Sequence, residues 1–402
     1  MDKNIFKYLV NKIKDLKEEN SFYREKYKNF NPDEICGYED FKKIVPLLCK
    51  GEIFAVNNLD RVLSFDDGVI FPSAGTTNDS DFSFRYSLNN YDKKNFNDKL
   101  IALFDLWFNV RKKKTMIINA YPLGVILPEG PYTVINAGVR DDIIIYTLGI
   151  FSRKFEQVVI IAQPHFLKHL IDLPQFDRLN INKSNIYFVL GGAWFPYTLE
   201  IYILKKLHGD MWRDFLNNVK STYGTAENGL GILLDFTVNL RKHFFKNKLD
   251  EIIPLVYQYD PSRFFVEDVD GELIITNLEK SNPELIRYNT EDKVNIPAND
   301  DLPKEIKKYA VNNVVYLFGR GHNYQTKARI MHNLFFDPVY AAMITGNFYL
   351  DEDQTLFLQL SRESSAINKA INYFMSIFDF NVKMIEYDKY RFIAAMDRKP
   401  VL

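Results

Sequence analysis

The sequence predicts an α/β protein in two parts. A large N-terminal part layers sheets and helices and adds an antiparallel β region; a small α+β part follows. Three observations carry this expectation. Between residues 94 and 207, helical periodicity alternates with short apolar runs of strand length. From about residue 255 the pattern changes to strands joined by tight turns such as Asp270-Gly271. Gly319-Arg320-Gly321 then sets two glycines around one charged residue, a hinge-like break before the last segment. The expected division is 1–320 and 321–402.

Taken in order, residues 3–29 have apolar positions at helical spacing until Asn31-Pro32 breaks them. Residues 61–71 read as two short strands around Asp66-Asp67-Gly68, a hairpin-type turn. Helical periodicity over 94–110 precedes the apolar run Met116-Ile117-Ile118, a buried strand. A helix over 140–152, a strand over 157–162 and a helix through 165–172 follow. Ile186–Leu190 is a strand ending at Gly191-Gly192, with an amphipathic helix over 197–207. Such alternation places ligands at the carboxyl ends of the strands. The segments LVYQYD, RFFVED, GELIITNL and NVVYLFG are the antiparallel strands. After residue 321 the order is helix, hairpin (347–359), helix (363–377) and a last pair of short strands.

Composition narrows the function classes. The 402 residues include 51 Lys+Arg and 52 Asp+Glu, so no global field steers the chain to nucleic acid or membrane. The 33 Phe and 24 Tyr fit a bulky aromatic core or apolar pockets. Cys36 and Cys49 are the only cysteines and form no CxxC, which argues against a disulfide scaffold or structural zinc site. The N-terminal segment lacks the features of a signal peptide, and a cytoplasmic location is expected.

Four motifs are candidates for chemistry. In Phe71-Pro72-Ser73-Ala74-Gly75-Thr76-Thr77-Asn78, backbone amides and the hydroxyls of Ser73, Thr76 and Thr77 can wrap phosphate around Gly75; the same residues also suit a surface turn. In Tyr223-Gly224-Thr225-Ala226-Glu227, the tyrosine offers a stacking face and Glu227 a carboxylate for Mg2+, although a strand-end turn with a solvated Glu fits too. Asp292 ends the segment 286–292, where a carboxylate can accept both hydroxyls of a ribose or simply pair with Arg287 or Lys293. Arg320 can grip ribose or phosphate with its planar fork, or only pack at a hinge. His165 and His169 stand at i, i+4 without an HExxH context, and neither GxSxG nor GxGxxG occurs.

The order of these motifs resembles the adenylate-forming superfamily of acyl-CoA synthetases, in particular its phenylacetate–CoA ligase-like branch. The resemblance starts at Phe22-Tyr23-Arg24, Asp33-Glu34-Ile35 and 38–48 ending in Lys50. It runs on through 73–77, Gly191-Gly192, 223–227, 271–276, 286–292, Gly319-Arg320 and 333–338, nearly the whole chain.

The resemblance implies a large adenylate-forming domain, a mobile C-terminal lid, and ATP-dependent activation of a carboxylic acid to an acyl-adenylate with release of pyrophosphate. The acyl group would then pass to a thiol, of CoA or a carrier protein, or to an amine. Ser73, Gly75, Thr76 and Thr77 would hold the β/γ-phosphates. Tyr223, with Gly224 and Thr225, would stand at adenine, Glu227 would hold Mg2+, and Asp292 and Arg320 would bind ribose. Gly191 and Gly192 would line the adenine and acyl pocket. Lys399 is the position for the catalytic lysine; a surface residue at the chain end is the other reading. Relatives suggest a homodimer. The pattern departs from the family at Asn78-Asp79-Ser80-Asp81, Ala226, Glu291 and around Gly321-His322-Asn323. Those departures keep open a second reading, a nucleotide-binding accessory protein of the same fold.

Overall fold

A computed structural model describes residues 3–64, 68–72, 84–88, 92–122, 125–235, 254–298, 300–302, 304–307, 313–321, 323–361, 367–378 and 380–385. The chain divides into two compact units. The first comprises Met1–Phe96, Tyr223–Leu234 and Tyr257–Gly321; the second comprises Asn97–Thr222, Asp235–Val256 and His322–Leu402.

The first unit is built on an antiparallel ladder in which Phe264–Val269, Glu272–Asn277, Tyr288–Asn295 and Val314–Arg320 pair in sequence order. Asp270 (φ 54°) and Gly271 (φ 76°) make the tight turn between the first two, and Asp268 Oδ1 accepts from Gly271 N at 2.9 Å. Against this ladder pack Leu9, Ile13, Phe22, Tyr23, Tyr27, Phe41 and Leu48, sharing one core with Phe265, Leu285 and Tyr288.

The expected helix over 3–29 is two helices, Lys3–Glu19 and Ser21–Lys26. Asn20 divides them: its side chain accepts from the amides of Phe22 and Tyr23, an N-cap that starts the second helix in a new direction. The expected hairpin over 61–71 does not form either. Arg61 and Val62 belong to the helix Leu59–Val62, and the strand Gly68–Pro72 pairs instead with Phe84–Leu88.

One buried ion pair fastens this unit. Arg287, in a left-handed backbone conformation (φ 52°), reaches both oxygens of Glu267 at 3.1 Å and donates to the carbonyls of Lys42 and Val45. Burial pushes the Glu267 carboxyl up, and Arg287 offsets part of that shift. The N-terminal helices are thereby tied to the sheet.

The second unit carries parallel strands. Thr133–Asn136, Thr115–Asn119, Gln157–Ala162 and Ile186–Leu190 lie side by side in that spatial order, with residues 219–221 next to the last. Thr115–Asn119 is buried throughout, as its unbroken apolar centre requires. The helices Asp92–Phe108, Asp141–Phe151, Pro164–Asp172 and Tyr197–His208 occupy the segments where helical periodicity is read. Phe104, Phe108, Ile117, Val159 and Val189 form a core here.

The segment after residue 322 contains the helix Tyr324–Leu334, the hairpin Ile344–Leu350 with Thr355–Leu360, the helix Ile367–Ile377 and the strand Asn381–Ile385, which joins parallel to the hairpin. It is bound to the rest of its unit by polar contacts. Lys168 Nζ, fully buried, donates to Ile344 O at 2.5 Å and pairs with Asp172 at 2.7 Å, while Thr198 Oγ1 donates to His332 O at 2.9 Å. No helix among the described residues is long and apolar enough to cross a membrane.

Arg287→Ala is expected to lower unfolding free energy by about 3–5 kcal/mol, because Glu267 is left charged and unpaired in the interior. Urea denaturation measures this. Arg287→Met with Glu267→Leu should recover most of the loss, because the apolar pair leaves no buried charge.

Candidate functional site

In the first unit the ladder pairs Asp292 directly across from Arg320. That register decides the local chemistry. Arg320 Nε lies 3.2 Å from Asp292 Oδ1 and Nη2 lies 3.2 Å from Oδ2, a two-pronged grip on one carboxylate. Nη2 also donates to Thr290 O at 2.6 Å, which fixes the plane of the fork. From the strand Val219–Thr225, Tyr223 Oη donates to Asp292 Oδ2 at 2.6 Å. Arg287 and Lys293 are committed elsewhere, to Glu267 and Glu272, so neither is the partner of Asp292.

Beside this cluster, Tyr288 Oη donates to Glu227 Oε1 at 2.8 Å, and Glu227 is only 4% exposed. Thr225 Oγ1 accepts from the backbone and side-chain nitrogens of Asn228, each at 3.1 Å, closing the turn that brings Glu227 inward. Gly224 makes that turn sterically feasible. A Cβ there would stand 2.5 Å from Gly229 O and 2.9 Å from Leu230 Cα.

The electrostatics follow from burial. Burial, reinforced by the neighbouring carboxylates Asp292 and Glu227 respectively, raises the phenols of Tyr223 and Tyr288 well above their usual value. Both therefore remain donors at any physiological pH. Burial works against the charge of Arg320, but Asp292, Tyr223 and Glu227 outweigh it and hold the guanidinium charged. With three of about four carboxylate acceptor positions on Asp292 filled, the open one is on Oδ1, where a hydroxyl can donate.

In the second unit, Gly191 and Gly192 end the strand Ile186–Leu190. A side chain at Gly191 would meet Thr222 O at 2.9 Å; one at Gly192 (φ +80°) would overlap Tyr121 Oη at 1.9 Å and lie 3.3 Å from Gln163 Nε2. Tyr121 and Gln163 follow the strands Thr115–Asn119 and Gln157–Ala162, so three strand carboxyl ends contribute to this spot. Gln163 is 3% exposed, and its Oε1 has no hydrogen-bond partner among the described residues.

Tyr223, Gly224, Thr225, Glu227, Asp292 and Arg320 thus come together within one unit, and Gly191 and Gly192 stand in the other. Ser73, Gly75, Thr76, Thr77 and Lys399 lie outside the described residues. Sequence reasoning did not single out Tyr288, Thr290, Tyr121 or Gln163. The available signal for Tyr121 and Gln163 was position, immediately beyond buried parallel strands. Among the described residues, no group of three or more His, Cys, Asp or Glu could hold a metal ion.

This architecture is shared with solved ligase structures. No protein-family model matches the sequence, and no curated protein sequence does. Among solved structures, 2-hydroxyisobutyryl-CoA ligase in the postadenylation state with R3-HIB-AMP aligns over 99% of this chain and 90% of its own, with a TM-score of 0.69 at 13% identity. The same ligase in an open conformation with 2-HIB-AMP and CoA aligns over 99% and 91%, with a TM-score of 0.59 at 14% identity. At such identity the likeness is one of fold.

Gly224→Ala is expected to cost about 1–3 kcal/mol, because both near neighbours are backbone and cannot rotate away. Thermal or urea unfolding measures it, with a cost below about 0.5 kcal/mol contradicting the contact.

Proposed function

We propose that the protein is an AMP-forming carboxylate ligase that makes an acyl-adenylate and then transfers the acyl group to a thiol, of CoA or a carrier protein, or to an amine. The observation that carries this reading is the Tyr223–Asp292–Arg320 cluster, in which Asp292 and Arg320 stand on adjacent strands and Tyr223 reaches them from another, within a fold shared with a CoA ligase. A carboxylate oriented by a fork and a phenol, with one acceptor position left open, is a receptor for a ribose hydroxyl.

In the first half-reaction an oxygen of the acid attacks the α-phosphorus of ATP. The bond from that phosphorus to the bridging oxygen breaks, and pyrophosphate leaves with the electron pair. In the second, the acceptor sulfur or nitrogen attacks the acyl carbon, loses its proton, and AMP departs. Asp292 and Arg320 would hold the ribose and Tyr223 the adenine side, while Ser73, Gly75, Thr76 and Thr77 would bind the β/γ-phosphates. Gly191 and Gly192 would leave room for adenine and the acyl group. Lys399 would reach the carboxylate and α-phosphate.

Glu227, a single buried carboxylate, suits Mg2+, which takes one or two protein carboxylates and otherwise keeps phosphate and water ligands. When bound, the ion would neutralise polyphosphate charge. We assign 1–320 to the adenylate-forming domain and 321–402 to a lid. Any rotation of that lid has to release Lys168 from Ile344 and Thr198 from His332. The proposed setting is the cytoplasm.

A second reading, a nucleotide-binding accessory protein, is favoured by Ala226 and by Asp79 and Asp81 near the phosphate-loop residues. Carboxylate-dependent ATP–pyrophosphate exchange across a panel of acids separates the two. Exchange with at least one acid is expected; nucleotide binding with no exchange across the panel favours the accessory protein. Asp292→Ala should weaken ATP binding about tenfold or more, by loss of a charge-assisted hydrogen bond. Isothermal titration of the folded variant measures this. Lys399→Ala should abolish exchange and retain ATP binding; full exchange would reduce Lys399 to a tail residue.

A further inference from the structure

Gln163 keeps an amide inside the second unit without using all of it. The residue is 3% exposed, and its Oε1 has no hydrogen-bond partner among the described residues. It stands between the strand Gln157–Ala162 and the helix Pro164–Asp172, where a side-chain oxygen can cap the helix amides, yet it makes no such bond. Its Nε2 instead lies 3.3 Å from the point a Gly192 Cβ would occupy, and Tyr121 Oη lies 1.9 Å from the same point. Two polar side chains thus converge beyond the carboxyl ends of three neighbouring parallel strands. A buried amide oxygen without a donor destabilises the fold, and an apolar residue of similar size would not. A ligand that supplies the donor accounts for its place there.

The chemistry of that ligand follows from what Oε1 lacks. Carboxylates and phosphates only accept, so neither the reacting carboxylate of an acid nor a polyphosphate supplies a donor. Tyr121, Gln163, Gly191 and Gly192 carry no charge, because burial pushes the Tyr121 phenol up and keeps its proton. An ammonium group would find no counter-charge among these four, so the fitting donor is neutral. Tyr121 turns its hydroxyl tip to the spot, with Oη and Cζ nearest, which suits a small group better than a stacked base.

We propose that Gln163 and Tyr121 select a carboxylic acid bearing a second, neutral polar group, a hydroxyl or carboxamide, that donates to Gln163 Oε1 and accepts from Tyr121 Oη. The substrate class rests on the carboxylate-ligase reading. The second group sets specificity and takes no part in bond making. The exocyclic amine of adenine offers the same donor, and the experiment separates the two sources.

Isothermal titration in the presence of AMP compares matched acids: 3-hydroxybutyrate with butyrate, 4-hydroxybenzoate with benzoate, and succinamate with levulinate. At least one polar acid should bind about tenfold or more tighter than its partner. Gln163→Met should abolish that preference, and Tyr121→Phe should reduce it. Without ligand, Gln163→Met should raise Tm by about 2 °C or more, because the unpaired oxygen is gone. Equal affinity within every pair, no acid bound, or a preference that survives Gln163→Met overturns the proposal. So does a Tm that is not raised, which makes Gln163 a structural residue. Loss of AMP affinity in Gln163→Met assigns the position to adenine and overturns the acid assignment. Acid selection lost in Gln163→Met, but with no ATP–pyrophosphate exchange by the wild type, supports this site and removes the ligase reading instead.

Discussion

The candidate site depends on the pairing of Asp292 with Arg320 across two antiparallel strands. The backbone register sets the two residues opposite each other, and the side chains complete the link with a two-pronged hydrogen bond. A carboxylate so deeply placed, 9% exposed, needs hydrogen-bond partners for its oxygens. It also accepts from Tyr223 on the strand Val219–Thr225, and Arg320 in turn donates to Thr290 O. Without Asp292 both the phenol and the fork lose their shared acceptor, and without Arg320 the carboxylate loses its two-pronged donor.

A second constraint is steric. Gly191, Gly192 and Gly224 stand where backbone or a tyrosine hydroxyl approaches within 3 Å of any added Cβ. They belong to two compact units; Gly192 makes room for the candidates Tyr121 and Gln163, while Gly191 and Gly224 make room for backbone. The antiparallel ladder sets the charged cluster, and the parallel strands bring Tyr121 and Gln163 to their carboxyl ends. Lys168, buried and shared between Asp172 and Ile344 O, performs a corresponding polar tie for the last segment of the chain.

Much of the fold was legible in the sequence because periodicity and burial agree there. Thr115–Asn119, fully buried, and Gln157–Ala162, buried except for half-buried Ile161, are centred on continuous apolar runs, and Asp270-Gly271 carries its turn in its chemistry. Where a side chain redirects the backbone, the pattern failed. Asn20 has polar neighbours and lies within helical spacing, so only its cap bonds reveal the break. Residues 61–71 alternate like strands, but Gly68–Pro72 has its partner some distance along the chain at Phe84–Leu88, a pairing local sequence does not encode. Asp292 and Arg320 were readable as candidates; their mutual pairing required the register. Tyr288 was hidden for another reason, since a tyrosine in a strand reads first as core.

The central claim is that Asp292 receives a ribose hydroxyl on its open Oδ1 position. The most direct measurement compares binding of AMP with binding of 2′,3′-dideoxy-AMP, in the wild type and in Asp292→Asn, by isothermal titration. The account predicts that the wild type favours AMP by about tenfold or more, near 1.4 kcal/mol, and that the variant loses this preference while remaining folded. Equal affinity of the wild type for the two nucleotides, or an undiminished preference in Asp292→Asn, would contradict it.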